Sequence, residues 1–229
     1  MISIDSAETL FQKISEIQHV SPTLKGRTSD QVEWKTLSYF LAAHKLDLRY
    51  PFVIRKSEKP DFLLEFSDLC WGIEITEAIH PDYNRLRALL EKESPDQWFI
   101  DPSHFKWGAT RKSLAEIRAL ASKTELTGLP WMGNKVEKEF AAMLKEVASG
   151  KAVKLGSGKY ERCDKNFLLI YSNQSLPQLN LDEGSSLAKE MLGWAGELFD
   201  VVSVVRGTTL IEFSEGQVLA KLIPRIGNE

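Results

Sequence analysis

The chain has 229 residues, of which 43% are apolar and 27% are charged, close to the average of globular domains. This length favours one domain of generous size over two small ones. The formal net charge of −3 excludes a strongly basic, histone-like binder, but it does not exclude an enzyme with a local basic face.

The N-terminal segment and the cysteine content bear on the cellular compartment. Residues 1–10 carry acids and no apolar core segment, so we expect no signal peptide there. No apolar run approaches the ~20 residues that a membrane-spanning helix needs. Two cysteines, Cys70 and Cys163, cannot form a disulfide framework and lack metal-ligand spacing, so we expect reduced core residues. The protein is therefore expected in the cytoplasm, with no membrane partner.

The sequence pattern predicts helices alternating with strands. After a helix at 6–18, residues 28–31 fit a capping box, which predicts a second helix from Thr28 to about His44. The other predicted helices are 81–93, 111–122, 134–149 and 185–198, and the predicted strands are 50–54, 62–66, 70–78, 167–171, 201–205 and 209–213. This order predicts an α/β fold with a mixed central sheet flanked by helices. We expect a single domain over residues 1–229, with an inserted irregular and helical segment at about 81–133.

Two acids lie where a purely structural role would be costly. Along the predicted strand 70–78, Ile73 and Ile75 point to one face and Glu74 to the other. A carboxylate at the centre of an apolar strand is unfavourable unless it is paired, hydrogen-bonded or metal-bound. Asp61 opens the neighbouring strand directly after a proline. Two carboxylates on adjacent strands can share one hard cation such as Mg²⁺.

A third acid, Glu33, lies on the helix that begins at Thr28. It shares a helix face with Leu37, Phe40 and His44, so an acid interrupts the apolar stripe. Alone, such a residue would more often be a rim residue that reaches water. Together with the two strand acids it becomes a candidate third metal ligand, or a group that supports the ligands.

These residues resemble the signature of the PD-(D/E)xK nuclease superfamily, in which a helix carries a Glu, a hairpin bears Pro-Asp and a strand carries Glu-x-Lys. Glu33 corresponds to the helix acid, Pro60-Asp61 to the first strand motif and Glu74-Ile75-Thr76 to the second. The resemblance covers residues 28–78 well and 134–172 loosely. It implies a restriction-endonuclease-like αβββαβ core.

The resemblance also implies a metal site and a reaction. Asp61 and Glu74, with Glu33 as the third ligand, would hold Mg²⁺ or Mn²⁺ and hydrolyse a phosphodiester. The partner would be nucleic acid, with DNA favoured over RNA. A homodimer is left open, because many relatives cut duplexes as dimers.

One departure from the family pattern concerns the catalytic lysine, whose place is taken by Thr76. Some members of the family take a substitute lysine from a neighbouring helix. Lys135 and Lys138, on the predicted helix 134–149, are the first candidates for that role here. Lys151 and Lys154, just beyond the predicted end of the helix, rank below them.

Three hypotheses follow. The leading one is a metal-dependent nuclease. The second is a catalytically inactive nuclease fold that binds nucleic acid or protein, a hypothesis motivated by Thr76 and by the acidic net charge. The third is an unrelated α/β protein whose buried acids are structural. The sequence identifies no substrate-binding residues.

Overall fold

The computed structural model describes residues 1–17, 28–93, 104–121, 131–156, 160–172, 174, 176–192, 198–214 and 216–225. The chain divides into two units. The first comprises Met1–Glu77, Val147–Ser172 and Leu192–Glu229, and the second comprises Ala78–Glu146 and Asn173–Met191. The segment predicted as an insertion, residues 81–133, belongs to the second unit.

Within the described residues, eight strands form one sheet in the first unit. They are β1 (Ile2–Ile4), β2 (Phe52–Lys56), β3 (Phe62–Glu65), β4 (Cys70–Glu77), β5 (Lys165–Tyr171), β6 (Val201–Arg206), β7 (Thr209–Ser214) and β8 (Gln217–Leu222). Their spatial order is the same as their order along the chain. Strands β4, β5 and β6 pair in parallel, and every other neighbouring pair is antiparallel. The fold is therefore α/β with a mixed sheet, as predicted, although β1 and β8 were not predicted.

The described part of the chain contains six helices. They are α1 (Ala7–Ile17), α2 (Ser29–His44), α3 (Pro81–Glu93), α4 (Leu114–Ala121), α5 (Lys135–Gly156) and α6 (Leu181–Met191). The prediction that α5 ends at Ser149 is wrong, because the helix continues through Gly150 to Gly156. The last helix, predicted at 185–198, begins earlier, at Leu181, and ends at Met191, while residues 193–197 lie outside the described residues. No helix among the described residues is both long and apolar enough to cross a membrane.

Helix α2 begins at the predicted capping box. The Thr28 hydroxyl accepts a hydrogen bond from the Gln31 amide at 3.3 Å, and the Gln31 side chain accepts one from the Thr28 amide at 3.0 Å. These two bonds satisfy backbone donors that the first turn of a helix leaves without partners.

The core of the first unit lies where α2 packs on one face of the sheet. Phe40 of α2 is fully buried, and its ring lies 5.3 Å from that of Phe167 on β5. Ile73 and Ile75 of β4 belong to the same buried cluster. Burying a side chain of this size stabilises the fold by about 1.5–3 kcal/mol. Because side chains alternate along a strand, Glu74 lies on the face of the sheet that does not face this core.

The second unit has a hydrophobic core of its own. Its buried members come from α3, from α4 and from the segment before α4: Leu86, Leu90, Phe105, Ile117 and Leu120. The buried carboxylate of Asp82 in α3 accepts a hydrogen bond from the Lys112 amide at 2.8 Å. Within the predicted insertion, this bond holds the segment before α4 to α3.

Candidate active site

Asp61 and Glu74 share one face of the sheet. In the antiparallel pair of β3 and β4, Phe62 is the partner of Ile73. Asp61 directly precedes β3, so continuing this register would bring it opposite Glu74. Its hydrogen bond to the Ile75 amide holds it beside this part of β4. The two carboxylates that the sequence predicted on adjacent strands are therefore brought together by the strand register.

The Glu74 carboxylate is buried and only half satisfied. Glu74 is 4% exposed, and its Oε1 accepts a hydrogen bond from the Lys151 ammonium at 2.5 Å. Its Oε2 is buried and has no hydrogen-bond partner among the described residues. Leaving a charged oxygen desolvated without a partner is unfavourable, so this atom is suited to receive a ligand.

The Asp61 carboxylate is held to the strand that carries Glu74. Its Oδ2 accepts a hydrogen bond from the Ile75 amide at 2.6 Å. Burial and then the negative charge of Glu74 raise the pKa of Asp61 to about 6, although the Ile75 amide and Lys151 act in the opposite direction. The ionised form of Asp61 is thus unfavourable in this environment, and a bound cation would relieve that cost.

The lysine beside the two acids is Lys151. It lies on α5 just after Gly150, within the part of the helix that extends past the predicted end. Lys135 and Lys138, which the sequence ranked first, lie exposed in the first turn of α5. Thr76 follows Glu74 by two residues on β4, so it lies on the same face, where it is half-buried.

Glu33 pairs with a lysine of the sheet. Its carboxylate makes an ion pair with Lys56 at the end of β2, and the same ammonium lies 3.4 Å from Asp30. That ammonium also lies 4.2 Å from the centre of the Phe62 ring. Within the described ranges, no group of three or more His, Cys, Asp or Glu side chains is arranged to hold a metal ion. The structure thus brings Asp61 and Glu74 together and places Glu33 against Lys56.

Two carboxylates still suit a divalent cation of the Mg²⁺ type. Mg²⁺ in proteins is commonly bound through one or two carboxylates, with waters and substrate phosphates as the remaining ligands. Asp61 and Glu74 supply the carboxylates, and the buried Oε2 of Glu74 is an oxygen donor without a protein partner among the described residues. With Lys151 as the only ammonium bonded to this pair in the described chain, the trio carries a net negative charge that attracts a cation.

Gly72 allows the segment that carries Asp61 to approach β4 closely. A Cβ atom at this position would lie 3.1 Å from Pro60 Cγ and 3.2 Å from Asn166 Oδ1. Both distances are shorter than an ordinary van der Waals contact of a Cβ atom. The absent side chain therefore lets Pro60, and with it Asp61, lie against the strand of Glu74.

The two cysteines lie side by side near this position. Cys70 on β4 and Cys163, just before β5, are free thiols with their sulfurs 2.6 Å apart, and both are half-buried. Burial raises the pKa of both thiols. Nothing in the sequence links residues 93 positions apart, so this pairing follows only from the parallel neighbours β4 and β5.

Tyr160 is a further neighbour of the acids that the sequence did not indicate. Its hydroxyl is buried and has no hydrogen-bond partner among the described residues. Burial and the charges of Glu74 and Asp61 raise the pKa of Tyr160, so the phenol is protonated at neutral pH.

The chain was compared with protein-family models, with curated proteins and with solved structures. It matches none of them.

Proposed function

We propose that this protein is a metal-dependent nuclease that hydrolyses phosphodiester bonds of nucleic acid, with DNA favoured over RNA. The observation that carries the proposal is the trio of Asp61, Glu74 and Lys151: two carboxylates on one sheet face, with an ammonium bonded to one of them. A helix lysine beside the strand acids is the arrangement by which some members of the PD-(D/E)xK superfamily replace the motif lysine.

The order of the elements supports the same proposal. Helix α2, the antiparallel strands β2, β3 and β4, helix α5 and the parallel strand β5 follow one another as αβββαβ. This is the order that the resemblance implies for the core. Helices α3 and α4 fall between β4 and α5, where the inserted segment was predicted.

Each member of the trio has a role in the proposed reaction. Asp61 and Glu74 would hold Mg²⁺ or Mn²⁺, which supplies a bound water of lowered pKa and offsets charge on the phosphate. The Ile75 amide fixes the orientation of the Asp61 carboxylate, and Lys151 fixes that of Glu74. An ammonium has three N–H donors, and Lys151 uses one on Glu74. A second is suited to donate to a phosphate oxygen or to the attacking water.

Cleavage assays with conservative variants test the proposal. Supercoiled plasmid and single-stranded oligonucleotides are incubated with Mg²⁺ or Mn²⁺, and circular dichroism confirms that each variant is folded. We expect metal-dependent cleavage that falls at least about 100-fold in Asp61→Asn, Glu74→Gln and Lys151→Met. Lys145→Met, an exposed lysine on the same helix, is the matched control and should cleave like wild type. Lys138→Met tests whether one of the two lysines ranked first from the sequence contributes to cleavage.

The replacement of the motif lysine by Thr76 favours one alternative, an inactive nuclease fold that binds nucleic acid. A folded wild-type protein that binds a labelled oligonucleotide in fluorescence anisotropy but cleaves nothing with either metal would support this alternative. Absence of both binding and cleavage would contradict the nuclease and the binding module together. Cleavage that persists in Asp61→Asn and Glu74→Gln would place the active site elsewhere.

A further inference from the structure

The segment that carries Tyr160 is fastened to both acidic strands. The Glu161 amide donates a hydrogen bond to the Lys59 carbonyl at 3.1 Å, two residues before Asp61. The Cys70 amide donates to the Asp164 carboxylate at 2.7 Å, at the start of β4. These bonds place Tyr160 beside the turn that leads into Asp61. The Tyr160 hydroxyl thus lies in a well-anchored segment, although it has no hydrogen-bond partner among the described residues.

Two buried oxygen atoms in this region lack hydrogen-bond partners among the described residues, and one can donate where the other can only accept. The Tyr160 hydroxyl is a donor, the Glu74 Oε2 is an acceptor, and both are buried without a hydrogen bond among the described residues. The charge of Glu74 acts on the phenol, so the two groups lie within electrostatic reach of each other. They are nevertheless not hydrogen-bonded. Two buried polar atoms that each lack a hydrogen-bond partner are both suited to bond to a third group that enters the site.

The chemistry of the two groups limits what the third group is. A protonated phenol donates a hydrogen bond, so its partner must carry an acceptor oxygen. An anionic acceptor enters a site lined by Asp61 and Glu74 only if a cation offsets their charge. A phosphate oxygen held beside a divalent cation meets both conditions.

We propose that the Tyr160 hydroxyl donates a hydrogen bond to a non-bridging phosphate oxygen of the nucleic-acid strand bound at Asp61 and Glu74. This inference rests on the proposed function. It assigns Tyr160 to substrate binding and not to the cation, because a neutral phenol has a hydrogen to donate and Mg²⁺ prefers carboxylate oxygens. If the tyrosine served packing alone, its ring would be sufficient, and a hydroxyl without a partner would only reduce stability.

The test compares Tyr160→Phe with wild type and with Tyr171→Phe, a half-buried tyrosine of β5 that packs on the hydrophobic core. The probes are Mn²⁺ alone, by titration calorimetry, and a fluorescein-labelled oligonucleotide with Ca²⁺, by anisotropy. We expect Tyr160→Phe to bind the oligonucleotide about tenfold more weakly. We expect its Mn²⁺ affinity to be unchanged and its melting temperature in chelator to be at least that of wild type. Tyr171→Phe should match wild type in both binding measurements.

The possible failures are distinguishable. If wild type binds the oligonucleotide and Asp61→Asn does not, but Tyr160→Phe binds like wild type, the tyrosine assignment is overturned and the proposed function stands. A lower melting temperature of Tyr160→Phe in chelator would show a structural partner for the hydroxyl and overturn the assignment. Reduced Mn²⁺ affinity would overturn the assignment to phosphate. Wild type that binds no oligonucleotide would overturn both proposals.

Discussion

The Asp61 carboxylate accepts a hydrogen bond from the backbone amide of Ile75, the residue that follows Glu74 on the neighbouring strand. One acid is thus tied to the backbone that carries the other. A cation held by both would be held by a single rigid unit, and in its absence the negative charge of Glu74 disfavours ionisation of Asp61.

Without metal, Asp61→Asn should stabilise the protein at pH 8. The amide oxygen can still accept the Ile75 hydrogen bond, while the buried negative charge is removed. Because the pKa of Asp61 is raised to about 6, above its value in the unfolded chain, the folded state binds the proton more tightly. Wild type therefore loses stability as the pH rises through 6. We expect Asp61→Asn to gain ~1–3 kcal/mol at pH 8, and the gain to shrink towards pH 5.

Urea unfolding in chelator at pH 5 and pH 8 measures this difference. Asp68→Asn serves as the control, because Asp68 is an exposed aspartate near the start of β4 and should show little change at either pH. An Asp61→Asn variant that is less stable than wild type at pH 8 would contradict the prediction.

Lys151→Met should destabilise the protein by about 2–4 kcal/mol, because it leaves the buried Glu74 carboxylate without its ammonium partner. The double variant Glu74→Gln/Lys151→Met should recover most of that loss, since it removes the unpaired charge. Denaturant unfolding of wild type, both single variants and the double variant gives the coupling energy. Strictly additive effects would show that the two side chains do not interact in solution.

Two glycine-to-alanine changes should have opposite signs. Gly72→Ala should cost about 1–3 kcal/mol, because its Cβ would press on Pro60 and Asn166. Gly150→Ala should stabilise by about 0.5–1 kcal/mol, because Gly150 lies in the interior of α5 and, among the described residues, nothing beyond its own stretch of helix comes within 4 Å of the added Cβ. Thermal unfolding compares the two. Equal changes in stability for the two variants would contradict the close approach of Pro60 and Asn166 to Gly72.

Cys70 and Cys163 should be joined by a thiol oxidant. Diamide takes up the two thiol hydrogens as the disulfide forms, so the protein mass should fall by about 2 Da. The reaction should accelerate as the pH is raised, because burial raises the pKa of both thiols and keeps thiolate scarce near neutrality. Mass spectrometry after alkylation follows it. Cys163→Ser is the control, and two alkylated cysteines after oxidation of wild type would disprove the pairing.

Local patterns allowed part of this structure to be predicted from the sequence. The capping box of α2 and the alternation of Ile73 and Ile75 with Glu74 along β4 depend on near neighbours in the chain, and both are found in the structure. Strand β1 has three residues, and most of β8 is exposed, so neither carries a clear apolar alternation. The helix was predicted to end at about Ser149, so Lys151 was placed beyond it and ranked low. The approach of Tyr160 to the acids depends on long-range packing that no local pattern encodes.

The parallel pairing of β4 with β5 has a consequence for the order in which the site is assembled during synthesis. Strands β1 to β4 pair with one another in chain order, so the pairings that bring the two acids together involve only residues up to 77. Lys151 lies 77 residues after Glu74, so it joins the acids only later. Lengthening the connection between β4 and β5 costs little entropy, about 0.6 kcal/mol for each doubling. The nascent chain therefore contains both carboxylates before Lys151, the ammonium that pairs with Glu74, is synthesised in the second half of the protein.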